Sequence, residues 1–576
     1  MIAQTREPGF VELFTPKLVT ILRDGYTLAN FKADILAGLT VAIVALPLSM
    51  AIAIASGVTP DRGLYAAIIG GFIVSAAGGS RFQIGGPAGA FIVLVAATVE
   101  HHGIDGLILA TLMSGLILIT MGLLRLGTFI KYIPYPVTVG FTSGIALIIF
   151  ASQLKDLLGL TLADKEPGAL VAKLQALAAS LPTVNIAAVG IAALCIATIL
   201  GLRRWRPHWP AYLIAVGVTA ILAWLAHLPV ETIGSRFGGL PSSLPAPHLP
   251  VISIEKIVEM LPAALSFALL GSIESLLSAV VADSMTGRRH RSNCELLAQG
   301  IANVASALFG GLCVTGTIAR TATNVRAGAR GPISGMLHSV FLLLFMLIAA
   351  PLASYIPLAA LAGLLAIVAW NMAERHGFVT LLRTSRGDAV VLLATFGLVI
   401  FRDLAEGIVM GFGIGSLLFI HRMAQSVQVD GSQPVINEDQ ADSTNGDHRQ
   451  RYDAGLAVDP DIIVYRISGA FFFGAAAAVA VALDGIGAHP KAYVIDVGDV
   501  AMLDSTGADT IAGFARKAHN QGAATYVAGA RPAIRRLLLA HGVRPPEVRF
   551  KTNLDDAVAL ARRKIDDGIG SEVPAI

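Results

Sequence analysis

The side chains with chemistry to offer are few, and they sit among apolar neighbours. Glu274 lies inside the apolar run 261–281. Arg320 follows Gly316 by one helical turn, in Gly316-Thr317-Ile318-Ala319-Arg320-Thr321, just after an apolar stretch. An ionised side chain at bilayer depth costs about 2.5–3.5 kcal/mol on insertion scales, and such groups face a cavity or a partner. One acid and one base in such surroundings suggest a negatively charged solute that moves with a coupled cation.

Composition sets the frame for these two residues. The chain has 576 residues, 55% of them hydrophobic and 14% charged, where soluble domains carry about 25% charged residues. Apolar stretches long enough to cross a bilayer recur through the first three quarters, which implies a polytopic α-helical membrane protein. The net charge of +3 is a small sum over an uneven distribution. Cys195, Cys294 and Cys313 lie in or beside apolar segments without metal-ligand spacing. No arrangement reads as catalytic, so we expect a protein that is not an enzyme, with no cofactor and no nucleic-acid partner. Residues 1–33 mix charges with Phe10, Val11, Leu13, Phe14, Leu18, Ile21 and Leu22, the pattern of an amphipathic cytoplasmic helix rather than a signal peptide.

The spans that must position Glu274 and Arg320 can be counted. The first runs over about 34–56 and contains Pro47; the second covers about 64–77. The glycine-rich stretch 78–87 then leads into a short apolar helix, 88–99, with Pro87 suited to a first helical turn. Spans at about 106–124, 135–154, 184–201 and 209–228 follow. The eighth, 260–283, carries Glu274; the ninth is 295–309; and 310–316 leads into a second short helix, 317–327. Spans at 332–350, 356–372, 388–401 and 405–421 complete fourteen.

The two halves echo each other. Ser75-Ala76-Ala77-Gly78-Gly79 resembles Ser306-Ala307-Leu308-Phe309-Gly310-Gly311, and each precedes extended residues, a glycine and a short helix. Interrupted segments at matching positions of two halves point to a transporter binding site. Seven crossings per half make the second half inverted relative to the first. With the N-terminus in the cytoplasm, Arg125, Lys131, Arg203 to Arg206, Arg288 to Arg291, Arg326, Arg330, Arg375 to Arg386 and Arg422 fall inside. The turns 100–105 and 402–406, which contains Asp403, fall outside, as the positive-inside rule requires. Both termini are then cytoplasmic.

The expected division is an N-terminal region 1–33, a membrane domain 34–425, an acidic linker 426–458, a soluble domain 459–567 and a tail 568–576. In the soluble part, 462–467, 493–497 and 525–528 read as strands, and 506–519 and 532–541 as helices. Such alternation predicts a small α/β domain with helices packed on a sheet.

Taken in order, these segments carry a family resemblance. The chain resembles the SulP anion transporters, the sulfate permease family that includes prestin and pendrin. The matching residues are Ala33-Asp34-Ile35-Leu36-Ala37-Gly38-Leu39-Thr40, Gly86-Pro87, Ser272-Ile273-Glu274-Ser275, Thr315-Gly316 and Arg320-Thr321. The C-terminal domain is similar to a STAS domain through Ile495-Asp496-Val497 and Asp504-Ser505-Thr506-Gly507. The resemblance implies a seven-plus-seven inverted repeat, with a core of spans 1–4 and 8–11 and a gate of spans 5–7 and 12–14. It also implies a substrate between the two half-helix starts, an elevator cycle and a homodimer in the inner membrane.

On that architecture, two helix starts would aim their free N–H groups and positive dipole ends at one spot. Pro87, Ala88 and Gly89 on one side, with Gly316 and Thr317 on the other, would form the anion site, and Arg320 would add planar donors. The bland reading of Arg320 is an interfacial arginine reaching for the cytoplasm, like Arg326 and Arg330. Glu274 matches the family's acidic residue. It would carry a proton, or hold a sodium ion with Ser278 and carbonyls near Gly316. The family's sodium pattern is an Asp with a Thr one turn on, where this chain has Glu and Ser. We expect Glu274 to pair with Arg320 in the empty site. In the first span, Leu48 stands after Pro47 where many members have Gln, leaving Ser49 as the nearby polar group; Pro47 either kinks the helix or lines the site. His338, Asn303, Gln153 and Asn324 read as packing or interhelical hydrogen-bonding residues. Thr506 and Asp509 have capping-box spacing, and Ser505 beside them is a candidate phosphorylation or partner-docking position.

The expected function is secondary transport of bicarbonate, sulfate or a C4-dicarboxylate, coupled to protons or to sodium. Alternatives are an uncoupled anion channel, and a membrane scaffold or sensor acting through the STAS domain. A nucleobase permease would want acids in spans eight and ten, but the second of these positions is Arg320.

Overall fold

The computed structural model describes residues 9–128, 134–163, 167, 169–206, 209–402, 404–431, 461–484 and 490–567. Residues 1–8, Lys131, Asp403, residues 432–458 of the expected linker and the tail 568–576 lie outside the described residues. The chain divides into two compact units at Gly415/Ser416, inside the last membrane helix, Leu404–Gln425, rather than after it.

Each expected span is helical. Leu28–Ala55 is the first and carries Pro47 in its interior. Pro60–Tyr65 and Gly71–Ala77 make the second, joined by one π-helical turn, Ala66–Gly70. Among the described residues, eight helices are long and apolar enough to cross a bilayer, including Tyr135–Leu158, Ile186–Trp205, Ile254–Thr286 and Ile333–Ala353. Ala211–Leu225, Ser292–Leu308, Ile318–Arg326 and Arg386–Phe401 fill the remaining expected positions. Most of these helices are apolar on all sides, whereas Ser292–Leu308 buries a polar face of Asn293, Glu295, Gln299, Asn303 and Ser306.

Three local details differ from the sequence reading. The turn expected at 100–105 is a helical kink, where Gly103 at φ 68° joins two helices end to end. Only glycine takes that left-handed geometry cheaply. Leu170–Ala179 and Arg375–Thr384 are additional helices of 10 residues each, too short to read as spans.

The two glycine-rich stretches form the centre of the membrane unit. Gly85–Gly86 (β1) pairs antiparallel with Thr315–Gly316 (β2), with Gly85 opposite Gly316 and Gly86 opposite Thr315. Beyond β1, Ala88 precedes a 3-10 turn, Gly89–Phe91, that runs into the helix beginning at Ile92. Beyond β2, Thr317 precedes the helix Ile318–Arg326.

The second unit is an α/β sheet domain. Gln428–Gly431 (β3) lies antiparallel to Ile462–Phe471 (β4), so part of the segment expected to be linker is an edge strand. From β4 the strands run parallel through Ala492–Asp496 (β5), Ala524–Ala528 (β7) and Val548–Lys551 (β8), and Val500–Leu503 (β6) pairs with the far end of β4. Alternate residues serve opposite faces. Tyr465, Ile467, Tyr493, Ile495 and Val527 pack with Ile511 and Ala515 of the helix Ser505–Asn520. Ile462, Val494 and Tyr526 pack with Ala557 and Ala561 of the helix Leu554–Asp566. A parallel sheet covered on both faces gives strands with near-continuous apolar sequence.

Candidate functional site

The meeting of β1 and β2 is fixed by backbone and by a small set of buried polar side chains. Thr317 donates to the Ile84 carbonyl from both its N–H, at 3.0 Å, and its Oγ1, at 3.2 Å. Thr321 Oγ1 accepts the Ile84 N–H at 3.1 Å and the Ser278 hydroxyl at 3.1 Å. Asn303 clasps Val314, donating to its carbonyl and accepting from its N–H, both at 2.8 Å. Asn324 donates to the Phe82 carbonyl at 2.9 Å, and Gln83 donates to Ser275 Oγ at 2.8 Å. Extended backbone inside a membrane protein must find partners within the protein, and these residues supply them. Asn303 and Asn324 do hold segments together, but they grip extended backbone rather than another helix. A polar side chain lying near a glycine run was the available signal.

Space at the crossing is tight. A Cβ on Gly316 would lie 1.7 Å from Gln83 Nε2, and one on Gly86 would lie 2.4 Å from Arg320 Nη1. Gly89 is roomier: a Cβ there would meet Met372 Sδ at 3.3 Å and Ile149 Cδ1 at 3.6 Å. Those two apolar side chains form the wall opposite the first helix start, and nothing in the sequence singled them out.

Arg320 is 1% exposed, unlike the exposed Arg326 and Arg330, so it does not reach the interface. Its Nη2 donates to Ser49 Oγ at 3.1 Å and to the Pro87 carbonyl at 3.3 Å. Its Nε and Nη1 have no acceptor among the described residues. The arginine of the second half-helix is thereby bound to the first span and to the first half-helix start. This brings Ser49, Pro87, Gly86 and Arg320 into direct contact.

Glu274 is buried, and its helix shares this region: Thr315 Oγ1 donates to the Gly271 carbonyl at 3.0 Å. The expected ion pair between Glu274 and Arg320 is absent among the described residues. The guanidinium is turned to Ser49 and Pro87 instead. Ser278 lies one turn beyond Glu274 and gives its proton to Thr321. His338 and Gln153 are buried, and Pro47 is buried within the first span. The first span is also pinned at its start, where Asp34 accepts N–H bonds from Arg330 at 2.6 Å and Gly331 at 3.2 Å, and a bond from the Tyr26 hydroxyl.

In the soluble unit, the capping box expected of Thr506 and Asp509 is not formed. Asp504 is the cap, accepting the Gly507 N–H at 2.8 Å. Asp509 instead meets His541 Nδ1 at 2.8 Å. Ser505 and Thr506 are exposed in the first turn of that helix.

A multi-helical membrane unit built round two broken segments, followed by a parallel α/β domain, defines the class: a polytopic membrane protein with a C-terminal STAS-type domain. Residues 31–395 match the sulfate permease family and residues 454–557 match the STAS domain. The chain belongs to the sulfate permease family. The putative sulfate transporter YvdB of Bacillus subtilis is 39% identical over 494 residues, covering 85% of this chain and 89% of the relative. The bicarbonate transporter BicA of Synechocystis is 32% identical over 522 residues, covering 88% and 90%. Among solved structures, the transmembrane domain of a cyanobacterial BicA superposes with a TM-score of 0.60 at 33% identity, over 66% of this chain and 98% of that one. Murine Slc26a9 in the inward-facing state shares the fold, with a TM-score of 0.82 at 18% identity over 98% and 96% of the two chains.

Proposed function

We propose that this chain is a secondary active transporter of small anions, with bicarbonate, sulfate and C4-dicarboxylates as the candidate substrates. The observation that carries this reading is the buried Arg320 guanidinium between two helix starts, with Nε and Nη1 lacking a protein acceptor among the described residues. A buried charge without a counter-charge is strongly unfavourable. An oxyanion beside Gly86, Ala88, Gly89, Gly316 and Thr317 would supply that counter-charge and accept free helix-start N–H groups. The relatives named for sulfate and bicarbonate transport support the same substrate class.

Glu274 is the coupling residue in this reading. It has no ion-pair partner among the described residues, and Ser278 directs its hydroxyl proton to Thr321. A hydroxyl that donates to Thr321 keeps its lone pairs for a cation, so the preference for a proton over sodium rests on Glu274 and Ser278 standing where the family's sodium pattern has Asp and Thr. The cycle is an elevator, in which the paired β1 and β2 segments travel as one piece with spans 1–4 and 8–11 of an inverted repeat. Spans 5–7 and 12–14, which contain Ile149 and Met372, form the stationary wall of a homodimer. The transporter sits in the inner membrane with both termini cytoplasmic, and the STAS domain offers Ser505 and Thr506 to a cytoplasmic partner or kinase.

Uptake of labelled bicarbonate, sulfate and succinate into proteoliposomes, at two pH values with and without sodium, tests the whole reading. Accumulation driven by a pH gradient, and lost in Glu274→Gln, is the expected result. Retention of that pH dependence in Glu274→Gln would remove the acid from the coupling role. Flux indifferent to both gradients would indicate a channel, and an absence of flux would favour a scaffold or sensor.

A further inference from the structure

On the side of the membrane unit that holds the N-terminal helices, cations from three parts of the sequence converge on the loop leading to β1. Lys17 opens the helix Lys17–Arg23, and its N–H donates to the Gly78 carbonyl at 3.0 Å. The Arg291 N–H donates to the Gly79 carbonyl at 3.0 Å, while its Nη1 donates to the Thr15 carbonyl at 2.7 Å and to Thr20 Oγ1 at 3.0 Å. Arg81 belongs to the same loop and meets Asp24 at 3.4 Å. Arg288 acts electrostatically on Arg81 from the turn after the Glu274 helix.

The acids nearby do not balance this group. Asp283 is engaged by His290, through Nδ1 at 2.7 Å and the backbone N–H at 3.0 Å. Glu295 is buried under the loop and accepts the Gly79 and Ser80 N–H groups at 2.8 and 3.0 Å. Burial, and then the charges of Arg291 and Arg81, hold the Lys17 ammonium below its ordinary value against the opposing pull of Asp283. Burial and Arg288 do the same to the Arg81 guanidinium, against the pull of Asp24. The two N-terminal helices, Phe10–Phe14 and Lys17–Arg23, also carry exposed apolar side chains: Phe10 is 57% exposed, Val11 74% and Leu22 55%. Basic groups together with exposed apolar side chains suit the surface of an anionic bilayer.

We propose that Lys17, Arg81, Arg288 and Arg291 bind the phosphodiester headgroup of an anionic membrane lipid, with Phe10, Val11 and Leu22 seated in the adjoining acyl region. The headgroup bridges the N-terminal helices, the loop into β1 and the turn that follows the Glu274 helix. It links the composition of one leaflet to the segment that carries the first helix start. A free oxyanion shares the headgroup's charge but makes no use of the exposed apolar side chains. The site depends on the membrane-embedded fold alone, and a lipid-retention measurement tests it separately from transport.

The test is native mass spectrometry of the full chain in detergent, titrated with phosphatidylglycerol or phosphatidylcholine. Phosphatidylglycerol is expected to be retained preferentially. Lys17→Gln and Arg81→Gln should each weaken retention roughly fivefold, while Arg204→Gln, in the last turn of the helix Ile186–Trp205, leaves it unchanged. Arg81→Gln also removes the Asp24 ion pair, so the deciding variant is Lys17→Gln, which keeps its backbone bond to Gly78. Equal retention of the two lipids overturns the proposal. So does unchanged retention in Lys17→Gln, or an equal loss in Arg204→Gln. Displacement of phosphatidylglycerol by millimolar inorganic phosphate would show a site for free oxyanions instead.

Discussion

The segments joined through β1 and β2 have similar backbones and different side chains. Residues 85–91 offer three glycines, a proline carbonyl and an apolar turn, with no charged group. Residues 315–326 bring Thr315, Arg320, Thr321 and Asn324, all buried, with Thr317 beside them. The stretch leading into the first segment is held at Phe82 and Ile84 by Asn324 and Thr321, and its own Gln83 reaches out to Ser275; the second segment does much of the holding. A symmetric backbone can thus carry an asymmetric site. Both helix starts can offer N–H groups, one alone supplies the cation, and the other fixes where that cation points.

Replacing the charge is the strongest challenge to this division. Arg320→Gln is expected to remove about 2–5 kcal/mol of anion binding, read as a loss of about thirtyfold or more in apparent affinity during uptake. Unchanged affinity would mean that the backbone of both segments suffices. Next in size is Asn303→Ala, which leaves the Val314 N–H and carbonyl without the partners they have now. Buried groups orphaned in this way cost about 1–3 kcal/mol each, so the detergent-solubilised protein should unfold at a clearly lower temperature. The smallest effect compares one glycine from each segment. Gly316→Ala drives a methyl into Gln83 and should cost about 1–3 kcal/mol, while Gly89→Ala meets only Met372 and Ile149 at ordinary contact distance or slightly closer. Equal melting temperatures for the two variants would show that the crossing yields more than its packing suggests.

Much of the fold was legible because bilayer thickness imposes a length on apolar runs, and each run expected to cross became a helix. The broken segments were legible from glycine and proline: Gly86-Pro87 and Gly310-Gly311 do not belong in continuous spans. The pairing of the two segments was not readable from spacing, because contacts between residues far apart in sequence leave no periodic trace. For the same reason the direction of the Arg320 side chain does not follow from the sequence. Charge alone pointed to Glu274, but a serine hydroxyl and a proline carbonyl receive the guanidinium. Acidic composition hid β3, since an edge strand half-exposed to water needs few apolar residues.

The crossing of β1 and β2 also bears on how the protein is made. The Ile84 carbonyl receives its bonds from Thr317, 233 positions later in the chain. While the ribosome is still adding the intervening helices, the earlier glycine loop lies in or near the lipid with its amides and carbonyls unmatched, a state worth several kcal/mol per group in hydrocarbon. Biogenesis therefore has to shelter that loop, in water, against the insertion machinery or behind neighbouring helices, until the distant strand is translated. A chain truncated before Thr315 would enter the membrane yet lack a completed centre.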